Sequence, residues 1–266
     1  MSAMAIERYS ASREPVRFGD VVSDRVLAAL KRGGADLSQL GVDEPDHDHA
    51  AGLWEDVAVP QAHARTLAWR NSVLAADHDD YLKWRFADLD PYQGPHLLKA
   101  WLDTLIEAKR TGARPDTMNY IAAGNIGSGK TTGVLALGNE ASERGLLVRV
   151  IQHSTYLAWR RPDGGPDGLS KYQIRKRYVE DPDLLILDEL CGEMDGVQTD
   201  FVRRETKDLV GSRIAAGKPT AYSTNLRRDD IKTVLGERLI SRIEDRAFLM
   251  KVVGPDRRRP RQALEW

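Results

Sequence analysis

A chain of 266 residues that is 41% apolar and 30% charged can bury one core of roughly 150–180 residues plus a smaller appendage. No apolar stretch reaches the length of a membrane span, Met1 to Ser10 lacks the apolar region of a signal peptide, and the lone Cys191 excludes an intrachain disulfide or a cysteine-based zinc cluster, so a cytoplasmic protein is expected. The net charge of −1 hides an asymmetry: residues 1–90 carry 10 Lys and Arg against 16 Asp and Glu, residues 91–266 carry 29 against 24, and a basic body of that kind suits nucleotide or nucleic-acid phosphates while the acidic part suits a basic protein surface.

The N-terminal part reads as small and mostly helical. Ser23 caps a short helix that runs to Leu30 and is stopped by Gly33-Gly34. Asp46-His47-Asp48-His49 alternates acid and imidazole without further ligands at fixed spacing, and reads as a solvated loop. From Pro60 to Phe86 a second helical stretch carries Leu67, Trp69, Val73, Leu74, Tyr81, Leu82 and Trp84, read as a packing face in preference to a base-stacking platform. Residues 88–95, with Pro91, Gly94 and Pro95, read as a linker, and a domain boundary is expected near residue 88. Leu97, Leu98, Trp101, Leu102, Leu105 and Ile106 then recur at helical spacing.

Tyr120 to Ala123 reads as a strand, and behind it stands a full phosphate loop, Gly124-Asn125-Ile126-Gly127-Ser128-Gly129-Lys130-Thr131, followed by Thr132 and a short apolar helix. Gly124, Gly127 and Gly129 are expected at positive φ, wrapping backbone N–H groups around phosphate; Lys130 adds a charge near the β- and γ-phosphates, and Thr131 offers its hydroxyl to Mg²⁺. A bound ATP is the expectation. Residues 146–151 form a second strand. The polar stretch from Arg160 to Asp181 includes Ser170 to Tyr178, where Lys171, Arg175, Lys176, Arg177 and two tyrosines lie within nine residues; this reads either as a track for a nucleic-acid backbone with stacked bases or as an ordinary basic surface helix. Asp183 to Glu189 is an apolar run ending in two carboxylates, the pattern of a strand buried on both faces. Asp188 is placed to hold Mg²⁺ and Glu189 to deprotonate a water attacking the γ-phosphate, which favours an ATPase over a small-molecule kinase. Cys191 reads as a packing residue. A helix over 201–216, a strand over 219–225 and a strand over 248–253 complete an alternating order that means a three-layer αβα fold around a parallel sheet. Arg238, Arg242 and Arg246, spaced by four, would share a helix face, either presenting guanidinium groups to a partner or paired with Glu237, Glu244 and Asp245.

Ser223-Thr224-Asn225 at a strand end, Asp229-Asp230-Ile231, and Gly236 to Ile243 resemble the AAA+ ATPases of the DnaC and IstB type, over about residues 85–253. The resemblance implies an AAA+ ATPase domain over 88–254, a partner-binding region over 1–87 and a basic tail over 255–266. It implies that Asn225 senses the γ-phosphate and that Arg242 is an arginine finger reaching a neighbouring subunit's nucleotide, hence a homo-oligomer. The chain's end soon after the fifth strand implies no helical lid domain. Loaders of this family engage a replicative helicase and single-stranded DNA, and in initiator-type AAA+ proteins, which this chain resembles, an extra helix at the position of Lys171, Arg175, Lys176 and Arg177 lines the DNA channel. Members of the IstB branch instead help transposition on duplex DNA, and the two branches share the ATPase core. Some loaders begin with a cysteine-rich zinc module, which one cysteine excludes.

Overall fold

Five short strands, β1 (Asn119–Ala123), β2 (Val148–Gln152), β3 (Leu184–Asp188), β4 (Thr220–Thr224) and β5 (Ala247–Lys251), pair in parallel in the order β2-β3-β4-β1-β5. The computed structural model describes residues 53–162, 164–166, 169–192 and 199–256. The chain divides into two compact units, 1–56 and 57–266, and the second carries the sheet. The helices are α1 (Leu53–Ala75), α2 (Pro95–Thr111), α3 (Lys130–Glu143), α4 (His153–Trp159), α5 (Lys171–Arg175, continued by a π-helical turn over Lys176–Glu180), α6 (Thr199–Ala215), α7 (Arg228–Leu235) and α8 (Glu237–Glu244).

The strands alternate their side chains between two cores, as the two-residue period of a strand requires. Tyr120, Ala122, Val148, Val150, Leu184 and Ile186 meet α2, α3 and the last turns of α1. Ile121, Ile151, Leu185, Leu187 and Tyr222 meet α4 to α8 on the opposite face. A sheet covered on both faces needs apolar residues at nearly every position, and β3 and β4 are buried throughout. This is the expected three-layer α/β fold around a central parallel sheet. No described helix is long and apolar enough to cross a membrane.

The structure departs from expectation before the phosphate loop. The helix expected over 60–86 stops at Ala75: Asp77 takes φ 55 and the His78 N–H closes a turn on the Val73 carbonyl at 3.0 Å. Three 3₁₀ turns follow, Asp79–Tyr81, Phe86–Asp88 and Pro91–Gln93. The stretch expected to be a linker is therefore packed, with Phe86, Leu89 and Gln93 buried. Trp69 and Val73 join the same core, so the boundary expected near residue 88 falls inside the second unit.

One contact set explains this packing. The Asn139 side chain on α3 accepts from Trp69 Nε1 at 2.8 Å and donates to the Tyr81 and Trp84 carbonyls, both at 2.9 Å. Along the exposed edge of β2, Ser72 Oγ accepts the Val150 N–H at 3.2 Å and Arg149 donates to the Ala68 carbonyl. The last turns of α1 thus occupy one backbone group that an edge strand would leave open, the Val150 N–H. The helix expected over 23–30, the loop at 46–49 and the basic tail at 257–261 lie outside the described residues.

Candidate nucleotide site

The phosphate loop leaves the C-terminal end of β1 and runs into the N-terminus of α3, the position at which a helix dipole favours an anion. Gly127 and Gly129 take φ of 76 and 91, as expected of a chain wrapping a phosphate. Gly124 does not; it is needed for close approach, because a Cβ there would lie 2.1 Å from the Val252 carbonyl oxygen. The loop is closed on itself, with Ser128 Oγ donating to the Asn125 carbonyl at 2.8 Å and Lys130 Nζ to the same oxygen at 2.6 Å. It is also buttressed from outside: Gln93 Nε2 donates to the Gly129 carbonyl at 2.8 Å, so the buried Gln93 of the 3₁₀ turn before α2 holds the loop.

Asp188 ends β3 with 1% of its surface exposed. Ser223 Oγ on β4 donates to Oδ1, Thr131 Oγ1 lies 3.3 Å from both oxygens, and His78 Nε2 lies 3.2 Å from Oδ2. Burial by itself would lower the His78 pKa, but the hydrogen bond and charge of Asp188, helped by the Asp77 backbone and the charge of Glu189, outweigh it, so the pKa is raised. The ring of Tyr81 meets His78 edge-on at 5.6 Å.

Glu189 adopts φ 53, a left-handed conformation that turns the chain sharply out of β3. The turn is held by β4 and α4. The Glu189 N–H donates to Ser223 Oγ at 3.0 Å, the Leu190 N–H to the Ser223 carbonyl at 2.7 Å, and Thr224 Oγ1 to the Leu190 carbonyl at 3.0 Å. Cys191, also at positive φ, donates its N–H to His153 Nδ1 at 3.1 Å. That assigns the proton to Nε2, which donates to Thr206 Oγ1 at 2.8 Å. Complete burial pushes the His153 pKa down to about 3, so the ring is neutral. Burial pushes the Cys191 thiol up to about 12, which suits its reading as a packing residue.

These elements enclose a cleft of about 310 Å³ lined by Tyr81, Gly127, Gly129, Lys130, Thr131, Thr132, Glu189, Ser223 and Asn225. The structure therefore brings together Lys130, Thr131, Thr132, Glu189 and Asn225, with Asp188 behind Thr131. Asn125 contributes its carbonyl to the closed loop, and Ile126 is exposed at the loop's tip. The donor set fits a hard cation that arrives with phosphate: one carboxylate and one hydroxyl, with no cluster of three or more His, Cys, Asp or Glu suited to a metal among the described residues.

Arg242 lies outside this cleft. It is exposed on α8 and lines a separate cavity of about 180 Å³ with Arg114, Met118, Ile214, Asp245 and Arg246. Two features expected of its helix change. Helix α8 ends at Glu244, so Arg246, at φ 54, shares no helix face with Arg238 and Arg242. Glu244 pairs with Arg228 at 2.7 Å and Glu237 with Lys232 at 3.0 Å, so these acids serve α7.

The basic segment is likewise only partly as expected. Ser170 caps α5 through the Gln173 N–H, and Lys171, Tyr172 and Arg177 are exposed. Arg175 is bound to its own domain, paired with Glu180 at 2.8 Å and with Asp208, and donating to Ser212 at 2.9 Å. Lys176 pairs with Asp181 at 2.6 Å. Tyr178, one of the two tyrosines considered for stacking, is buried against Trp159 with 3% exposure, which removes it as a platform.

His153 carries no sequence signal of its role, and His78 only a faint one. Asp188 is 110 positions from His78, and the chain distance from His153 to Cys191 is 38. A faint cue for His78 was its place in the polar run Asp77 to Asp80, which interrupts the apolar spacing of the preceding helix.

No family model matches the chain. Over 127 residues it is 28% identical to the replicative helicase loader DnaC of Escherichia coli strain K12, covering 47% of this chain and 49% of that one. The chain thus spans about half the length of the curated relatives it matches. A solved structure of DnaI superimposes with a TM-score of 0.53 at 19% identity, over 67% of this chain and 93% of that one. AMPPCP-bound DnaA from Aquifex aeolicus superimposes with a TM-score of 0.51 at 20% identity, over 64% of this chain and 50% of that one. At such identities the two structures speak to the fold alone.

Proposed function

We propose that the chain is an AAA+ protein of the DnaC type, that it binds ATP with Mg²⁺ and hydrolyses it in a homo-oligomer, and that it acts in replication initiation as a loader that engages a replicative helicase and single-stranded DNA. The observation that carries the reading is the convergence of Lys130, Thr131, Glu189 and Asn225 on one cleft, with Asp188 against Thr131. In this account Lys130 leaves the Asn125 carbonyl for the β- and γ-phosphates. Thr131 and Asp188 would hold Mg²⁺, which offsets the charge that develops on the transferring phosphoryl group. Glu189 takes the proton of the attacking water, its backbone fixed by Ser223 so that the carboxylate has a defined origin. Asn225, across the cleft from the phosphate loop, donates to the γ-phosphate or to that water. Arg242, remote from its own cleft, serves the nucleotide of an adjacent copy.

The helicase and DNA roles rest on different support. The relative 28% identical to this chain is named a replicative helicase loader, and the match covers half its length. The acidic residues 1–90 suit a basic surface on a protein partner, with residues 1–87 as the proposed partner-binding region. Among Lys171, Arg175, Lys176 and Arg177, the exposed Lys171 and Arg177 are the stronger candidates for a DNA backbone, because the other two are ion-paired within the domain. The test is co-sedimentation of the purified chain with a replicative helicase under ATP and under ADP, alongside binding of single-stranded and duplex oligonucleotides. ATP-dependent helicase capture with preference for single strands supports the loader. Absence of helicase binding together with tighter duplex binding contradicts it and supports a transposition helper.

A further inference from the structure

The histidine beside the metal half of the cleft comes from a segment that no phosphate-loop or acidic motif includes. We propose that His78 is a positioning residue for Asp188, fixing that carboxylate for Mg²⁺; the inference rests on the MgATP reading of the cleft. Asp188 has two oxygens and three neighbours. Ser223 donates to Oδ1, His78 Nε2 faces Oδ2 at 3.2 Å, and Thr131 Oγ1 is equidistant from both at 3.3 Å. With Ser223 on one oxygen and His78 on the other, the carboxylate is held at both ends beside Thr131. Ordered carboxylates bind a divalent ion better than mobile ones, and outer hydrogen-bond partners of a ligating group are worth about 10–100-fold in metal affinity.

His78 is itself held on several sides. Its N–H is tied to the last turn of α1 through Val73, its ring meets Tyr81 edge-on, and the Tyr81 carbonyl accepts from Asn139 on the helix that begins with Lys130. Residues 76–81 are therefore part of the nucleotide site, although the sequence assigns them to the region preceding the ATPase body. Tyr81 lines the cleft directly. Two substitutions separate a donated hydrogen bond from mere space filling. His78→Phe keeps an aromatic ring against Tyr81 and removes the N–H; His78→Gln removes the ring and keeps an N–H donor.

The experiment measures ATP affinity calorimetrically for wild type and both variants, once in EDTA and once across a Mg²⁺ titration, with thermal melts to check folding. The expected result is that His78→Phe raises the Mg²⁺ midpoint about tenfold or more while leaving affinity in EDTA unchanged, and that His78→Gln stays within a few-fold of wild type. The proposal is overturned by an unchanged midpoint in His78→Phe, or by an equal loss of affinity with and without Mg²⁺, which marks a structural role. It is also overturned if His78→Gln is the impaired variant and His78→Phe is not. A wild-type protein that binds no ATP in either condition overturns the MgATP reading along with this one, so the two failures are distinguishable.

Discussion

Asp188 and Glu189 are neighbours in sequence but stand in different environments. Asp188 is sealed beneath Thr131, Ser223 and His78, while Glu189, turned outward at φ 53, lines the cleft. The sequence announces both acids because a buried parallel strand must be apolar until it ends, and its end is where the polar residues appear. It does not announce what holds them. Ser223, His78 and His153 are ordinary residues until the fold brings them within hydrogen-bond distance. His153 yields a prediction of its own. Its folded pKa is depressed from the ordinary value of 6.5 to about 3, so the unfolded chain binds a proton that the native ring refuses. The stability it contributes is present above pH 6.5 and is lost as pH falls toward 3. Comparing urea unfolding at pH 7 and pH 5, wild type should lose about 2 kcal/mol more than His153→Asn over that interval. Equal losses in the two proteins would remove His153 from the acid sensitivity of the fold.

At the scale of elements, the five strands and the helix after the phosphate loop were legible from runs and periods; the strand bounds differ from expectation by at most two residues, while the helix runs on to Glu143. The region before them was not. Apolar spacing continued past Ala75 in Tyr81, Leu82 and Trp84, and these residues do pack on the core, but from turns whose geometry is dictated by Asp77 and by Asn139 of α3. A periodicity count registers the burial and misses the break. Helix α5 shows the same limit: four cations in nine residues are visible in sequence, whereas the pairing of Arg175 with Asp208 depends on α6 lying alongside. The DNA proposal therefore divides the cluster. In salt titrations with a fluorescent single-stranded oligonucleotide under ATP, Lys171→Ala and Arg177→Ala should each flatten the log–log slope by about 0.7, with affinity falling in parallel. Arg175→Ala should leave the slope in place and instead lower the melting temperature. Unchanged slopes in the first two variants would make α5 an ordinary surface helix.

At the scale of the whole molecule, no arginine is among the described residues that line the cleft, and the proposed source of a cation for the γ-phosphate is Arg242 of another copy. Arg242 shares a cavity with Arg114 and Arg246, away from Lys130 and Asn225, so one chain cannot supply both halves without rearrangement. Mixing Arg242→Ala with Lys130→Ala should then recover part of the activity that each variant lacks alone, because each retains a different half of a shared site. Folded proteins that show no recovery at any ratio would confine the chemistry to one chain. The parallel sheet and the αβα layers were legible in the sequence; which arginine faces which copy was not, since that depends on a surface that no single-chain pattern encodes. The proposed hydrolysis depends on Glu189 acting as the base in the cleft formed with Lys130. The most direct measurement is ATP affinity and turnover for wild type, Lys130→Ala and Glu189→Gln side by side. Lys130→Ala should lose nucleotide binding, while Glu189→Gln should bind ATP as wild type does and turn it over about a hundredfold or more slower. Turnover by Glu189→Gln equal to wild type, or ATP binding retained by Lys130→Ala, would contradict the account.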